Sequence, residues 1–210
     1  MTRFALGARG LTQEDVIARH RAGEDVWVFA YASLIWRPDF NPEESRPARV
    51  LGLHRALKMW SRINRGTPER PGLVFALLSG GSCNGLVLKL PQKNAIEIID
   101  LLWAREMPLD TYTPKWVRAH TQQGLVSALA FTLSRHHPQF AGDLSPAQYR
   151  EIFQHSSGRY GSTADYALET LQALEELGIP DRALQRLIQT HWATQSDQTS
   201  LRNSSVSDLY

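Results

Sequence analysis

Glu106 closes the run NAIEIIDLLWARE (94–106), and its neighbours give it an unusual setting for a carboxylate. Ile96, Ile99, Trp103 and Glu106 share one face at helical spacing, and Leu102 lies one turn before Glu106. The glutamate therefore ends an apolar stripe. Burial there disfavours the charged form and raises the pKa. The negative end of the helix dipole, just ahead of Pro108, acts in the same direction, and Arg105 opposes both where it faces the same site. A carboxyl group tuned this way exchanges protons near neutral pH, which suits a general acid/base. The competing arrangement is a frayed helix end with Glu106 in water, where most glutamates lie.

A second stretch with chemical potential is VFAYASLIWRP (28–38). Apolar residues run from Val26 into Phe29 and predict a buried strand. Ala30, Tyr31, Ala32 and Ser33 then alternate small and aromatic side chains. Small side chains let a ligand approach the backbone, whose N–H groups can hold a carboxylate or polarise a carbonyl oxygen.

Other chemistries find less support. None of the 7 histidines shows HxxxH spacing, and the 1 cysteine, Cys83, cannot build a structural zinc site. Ser33 lacks the G-x-S-x-G elbow of a hydrolase nucleophile. Cys83 lies in SGGSCNG, which has turn composition. RINRGTPER (62–70) is basic, and Trp36 and Trp60 could stack bases. The net charge of +2 is nevertheless modest and no RNA-binding motif is present, so a small molecule is favoured over nucleic acid. Arg62, Arg65 and Arg70 are expected on a solvated loop, although they could steer an anionic substrate.

The elements that must position these residues follow from periodicity and punctuation. The 210 residues, 42% hydrophobic, suit a domain (26–193) with an N-terminal extension (1–25) and a polar, disordered tail (194–210). In the extension, Thr12 caps a helix that runs to about Ala22 and ends at Gly23. Strands are predicted at 26–36 and 49–59, with a long polar loop over 61–72. Further strands at 73–78 and 85–90 flank SGGSCN, a hairpin signal. The helix 94–106 follows, stopped by Pro108, and then TPKWVRAH and LVSALAFTL form a hairpin around QQG. Beyond Pro138 the chain turns helical: one helix capped by Ser145 with Pro146 at its first position, then 163–177 and 181–193. The order predicts an α+β fold with a mixed or mostly antiparallel sheet. No apolar run approaches the roughly 18 residues needed to cross a bilayer, so no membrane partner is expected. A single cysteine and a charged N-terminal stretch predict a cytoplasmic protein.

VFAYASLIWRP resembles the F-G-Y-G-S-L-I-W-x-P loop of the ChaC family, and WAREM (103–107) resembles the R-E-M variant of that family's catalytic helix end. HRALKMWS (54–61), RPGLVFAL (70–77) and SSGRYGSTADYALETLQALEELGI (156–179) are similar to further family segments, in the family's order, from Trp27 to Leu187. The resemblance implies a small β-barrel with flanking helices and a γ-glutamylcyclotransferase that degrades glutathione to 5-oxoproline and cysteinyl-glycine without metal or organic cofactor. It implies Glu106 as the catalytic carboxylate and Val28, Phe29, Ala30, Tyr31, Ala32 and Ser33 as the substrate loop. Tyr112 and Tyr166 match tyrosines of the pattern and are expected either to orient substrate or to pack as ordinary aromatics. The departure is alanine at 30 and 32, where the family pattern has glycine. A positive φ at either position would cost alanine about 1 kcal/mol or more. Otherwise the extra methyls narrow the pocket, and a differently specific or catalytically silent γ-glutamyl-binding protein becomes the alternative.

Overall fold

The computed structural model describes residues 10–107 and 111–190. Pro108 and the tail from Thr194 lie outside the described residues. The chain divides into two compact units, one within 1–56 and 76–137, the other within 57–75 and 138–210.

The elements run α1 (Gln13–Arg21), β1 (Trp27–Ala30), α2 (Ser33–Trp36), β2 (Glu44–Ser61), β3 (Gly72–Lys89), α3 (Ala95–Glu106), β4 (Thr113–Thr121), β5 (Gly124–Thr132), α4 (Pro146–His155), β6 (Ser157–Gly158), β7 (Gly161–Ser162) and α5 (Thr163–Glu176). Residues 182–190 are helical as well. Strands β1 to β5 close a barrel in the order β1-β3-β2-β4-β5. β1 pairs antiparallel with β3 and parallel with β5, so the barrel is mixed. The α+β barrel with flanking helices is therefore what the chain adopts.

β1 is buried along its whole length, because it is central in the sheet and covered on both faces. This explains the unbroken apolar run from Val26 to Phe29. β4 instead alternates: Pro114, Val117 and Ala119 are buried, while Lys115, Arg118 and His120 face water.

Two predicted boundaries are corrected. The strand expected over 26–36 stops at Ala30, and Ser33–Trp36 turn into one short helix, closed by Arg37 N donating to Ser33 O at 2.7 Å. The apolar Leu-Ile-Trp run read as strand because a turn of helix is too short to show a period. The hairpin expected at SGGSCN is absent: Gly72–Lys89 is one strand. Gly80 (φ 98) and Gly81 (φ 69) stand inside it, so these glycines bend the strand instead of reversing it. The hairpin at QQG is present, with Gly124 at φ 118.

α1 starts at Thr12, whose side chain forms a capping box with Asp15. It is docked: Val16 and Ile17 are buried, Gln13 Nε2 donates to Asp100 Oδ1 of α3 at 2.6 Å, and the Arg19 guanidinium lies 4.5 Å from the Trp116 ring.

In the second unit, loop 62–71 is held by α4, α5 and the β6–β7 hairpin. Thr163 Oγ1 accepts from Leu73 N at 2.9 Å and donates to Arg65 O at 3.3 Å, and Ser156 Oγ donates to Pro71 O at 2.9 Å. Glycine is required here, since a Cβ on Gly72 would overlap the Arg65 carbonyl. Arg62 and Arg70 are exposed as expected, but Arg65 is only 7% exposed. Its guanidinium lies 4.9 Å from the Tyr166 ring and 3.7 Å from Glu169, so the expectation of a solvated Arg65 is corrected.

Candidate active site

Helix α3 buries Ala95, Ile98, Ile99 and Leu102, and Glu106 continues that face one turn beyond Leu102. The helix ends there, with Met107 N bonded to Trp103 O at 2.8 Å. The Glu106 side chain is 15% exposed. Burial pushes its carboxyl above the ordinary glutamate range; the Arg105 charge pulls it down, and the Asp39 carboxylate pushes it up. Glu106 is thus a shielded carboxyl of raised proton affinity, and the solvated helix end is not what the chain adopts.

Arg105 joins this carboxyl to the loop after β1. Its Nε lies 3.2 Å from Glu106 Oε1, its Nη2 donates to Ser33 Oγ at 2.8 Å, and its Nη1 donates to Arg37 O at 2.7 Å and to Asp39 Oδ2 at 2.5 Å. One planar fork thereby brings Ser33 and Glu106 to a common place.

A second arginine holds the other side of the loop. Arg55 Nη1 donates to Tyr31 O at 2.6 Å and to Asn84 O at 3.1 Å. Tyr31 Oη donates to Phe131 O at 3.1 Å, and its ring stacks 6.4 Å from Phe29. Phe131 also meets Trp103 edge-on at 5.4 Å and Tyr112 at 6.4 Å. Tyr31, Tyr112 and the last turns of α3 therefore share one aromatic centre.

Val28, Phe29 and Ala30 are fully buried in β1, so their side chains serve the core. Ala30 lies in a regular strand and Ala32 has φ −146, and Asp39 is the sole non-glycine with positive φ among the described residues. Neither alanine therefore takes up the left-handed backbone that glycine alone adopts freely. The close approach here is carried by Gly85 of β3, where a Cβ would overlap the Ala30 carbonyl oxygen. Of the amides that open α2, Ile35 N donates to Ala32 O at 2.8 Å, while those of Ser33 and Leu34 precede the first bond of the turn, as at any helix start. Tyr166 belongs to the second unit, where it is 5% exposed, its Oη accepts from Phe75 N at 3.4 Å and its ring lies 5.3 Å from Phe75. Among the described residues no group of three or more His, Cys, Asp and Glu is placed to hold a metal ion. No helix among them is long and apolar enough to cross a membrane.

A family model described as ChaC-like protein matches residues 26–192. The chain belongs to the ChaC family. Among curated ChaC relatives, the glutathione-specific γ-glutamylcyclotransferase of Escherichia coli (strain K12) is 33% identical over 164 residues, covering 78% of this chain and 71% of that protein. The enzyme of the same name from Schizosaccharomyces pombe is 29% identical over 170 residues, covering 72% of this chain and 84% of that one. The fold matches the crystal structure of a selenomethionine-labelled γ-glutamyl cyclotransferase specific to glutathione from yeast, with a TM-score of 0.72 at 22% identity over 80% of this chain and 95% of the other.

Two residues of this ChaC site escaped the sequence. Arg55 carried a weak signal, as one of three arginines in a strand of mixed burial. Asp39 carried only its tolerance for positive φ, which aspartate shares with asparagine.

Proposed function

We propose that this chain is a glutathione-specific γ-glutamylcyclotransferase, a lyase that converts glutathione to 5-oxoproline and cysteinyl-glycine with Glu106 as its general acid/base. The observation that carries the proposal is the shielded Glu106, its proton affinity raised by burial, fastened through Arg105 to Ser33 of the loop after β1. The family and the names of its relatives supply the substrate class.

The chemistry is intramolecular. The α-amine of the γ-glutamyl group attacks its own γ-carbonyl carbon, a new C–N bond closes the five-membered ring, and the C–N bond to the cysteinyl nitrogen breaks. One C–N bond replaces another, so no oxidation or reduction occurs and no enzyme nucleophile is needed. Glu106 takes a proton from the α-ammonium and returns one to the departing nitrogen. The amides at the start of α2 stabilise the negative charge that develops on the γ-carbonyl oxygen. Holding the substrate folded supplies much of the acceleration. Tyr31 and Tyr112 wall the site beside Phe131. Tyr166 packs on Phe75 and Arg65 in its own unit, which supports the ordinary-aromatic alternative for it. A cytoplasmic location belongs to the same proposal, since a lone cysteine fits a reducing compartment.

The test is direct. Purified protein is given glutathione at about 1 mM, and 5-oxoproline and cysteinyl-glycine are measured beside Glu106→Gln. Equal amounts of both products from wild type, and a loss of about 100-fold or more in the variant, support the proposal. Undiminished turnover in Glu106→Gln removes the acid/base role. A folded wild type that ignores glutathione but cyclises another γ-glutamyl amide moves the substrate and leaves the reaction.

A further inference from the structure

Asp39 stands outside the loop and helix that carry the proposed chemistry, yet it holds the only left-handed backbone, φ 61, of any non-glycine among the described residues. That conformation is uncommon outside glycine, although aspartate and asparagine adopt it more readily than other residues, and such backbones persist where surrounding contacts over-determine them. Here both carboxylate oxygens are engaged: Oδ1 accepts from Arg37 Nε at 3.3 Å and Oδ2 from Arg105 Nη1 at 2.5 Å. The side chain thus faces back along its own turn and grips the guanidinium that also reaches Ser33 and Glu106.

We propose that Asp39 is a positioning residue that acts on Glu106 and Ser33 through Arg105. The inference rests on the cyclotransferase reading above for its consequence in catalysis, though not for its geometry. Arg105 has two carboxylates to choose between. Asp39 and the Arg37 carbonyl take Nη1, which turns Nη2 to Ser33 and leaves only Nε for Glu106. Without the Asp39 charge, the fork is free to swing and take Glu106 with two parallel bonds, the geometry a guanidinium prefers with a carboxylate. Glu106 would then be held ionised and turned from substrate, and Ser33 would lose its donor. The charged groups around Glu106 are Arg105 on its own helix and, from the loop after α2, Asp39 with Arg37 against it. Asp39 raises the proton affinity of Glu106 and Arg105 lowers it, in keeping with this arrangement.

Asp39→Asn is the discriminating change, because asparagine tolerates positive φ and keeps an acceptor while losing the charge. The pH profile of kcat/KM is measured for wild type, Asp39→Asn and Arg105→Lys, with thermal unfolding of each. The expected result for Asp39→Asn is an acid limb moved to lower pH and kcat reduced about 10-fold or more, with KM and the unfolding midpoint close to wild type. Arg105→Lys keeps a charge but not the fork, so its kcat is expected to fall as well. An unmoved acid limb in Asp39→Asn, or a loss that tracks unfolding alone, overturns the proposal. The Glu106 carboxyl is also titrated by carbon NMR without substrate in wild type and Asp39→Asn. Identical titrations overturn the coupling whatever the reaction proves to be. A wild type inert towards γ-glutamyl compounds with shifted titrations overturns the cyclotransferase reading and leaves the coupling.

Discussion

Arg105 Nε lies 3.2 Å from Glu106 Oε1, and still the Glu106 carboxyl is held above the ordinary glutamate range. A cation at that distance normally favours the ionised form. Burial at the end of α3 outweighs it, and the guanidinium is shared with Asp39, Arg37 and Ser33. Burial sets the direction of the shift, and Arg105 limits it.

That opposition makes stability depend on pH. The folded chain binds the Glu106 proton more tightly than the unfolded chain, whose glutamate titrates near 4.5. Stability from this residue is therefore complete below that value and is lost as pH rises through the raised folded value. Glu106→Gln, which carries no charge at any pH, is expected to melt above wild type at pH 8, with the difference closing as pH falls toward 4.5. Thermal unfolding across pH checks this, and a constant difference would contradict it.

Glycine at Ala30 is expected to give no gain. Ala30 lies inside a buried strand at negative φ, so Ala30→Gly only enlarges the freedom of the unfolded chain, costing about 0.5–1 kcal/mol. The opposite substitution on the neighbouring strand is severe. Gly85→Ala would drive a methyl into the Ala30 carbonyl, with a loss of about 1–3 kcal/mol and of product formation. Denaturant unfolding and the glutathione assay read both.

Tyr31→Phe separates structure from chemistry. The Tyr31 hydroxyl is spent on Phe131 O, so its removal leaves a buried carbonyl short of a donor and costs about 1–3 kcal/mol. Turnover per folded molecule is expected to stay within about threefold of wild type, a change in barrier of under 1 kcal/mol. A collapse of kcat without loss of stability would place that hydroxyl on the substrate instead.

Thr163→Val tests the frame of the second unit. The methyl-for-hydroxyl exchange preserves shape and deprives Leu73 N and Arg65 O of their partner. Each buried group left unpaired costs about 1–3 kcal/mol, so the variant is expected to unfold several degrees below wild type.

Helix α3 and the place of its glutamate were legible because a twelve-residue amphipathic pattern repeats often enough to define a face, and Glu106 falls on it. The loop was legible in place but not in shape. Ser33–Trp36 is a single turn, and its apolar residues look the same in strand or helix. SGGSCN misled for the reverse reason: paired glycines mark a hairpin only when the chain reverses, and pairing with distant strands decided otherwise for Gly80 and Gly81. Arg105 reaches the loop from 66 to 72 residues away, a relation that spacing cannot express. The buried Arg65 was equally hidden, since its surroundings come from α5.

The four residues of β1 take their partners from Leu86–Lys89 on one side and from Ala128 and Leu129 on the other. Both partners are remote along the chain, and the parallel one closes the barrel. Such contacts carry a loop-closure entropy that must be met before any of them is rewarded, which slows folding. On a ribosome, the loop that follows β1 is made early and finds its frame only after β5 has emerged. Until Ala128 and Leu129 of β5 are made, one edge of β1 has no partner, and the loop that follows it lacks half of its frame.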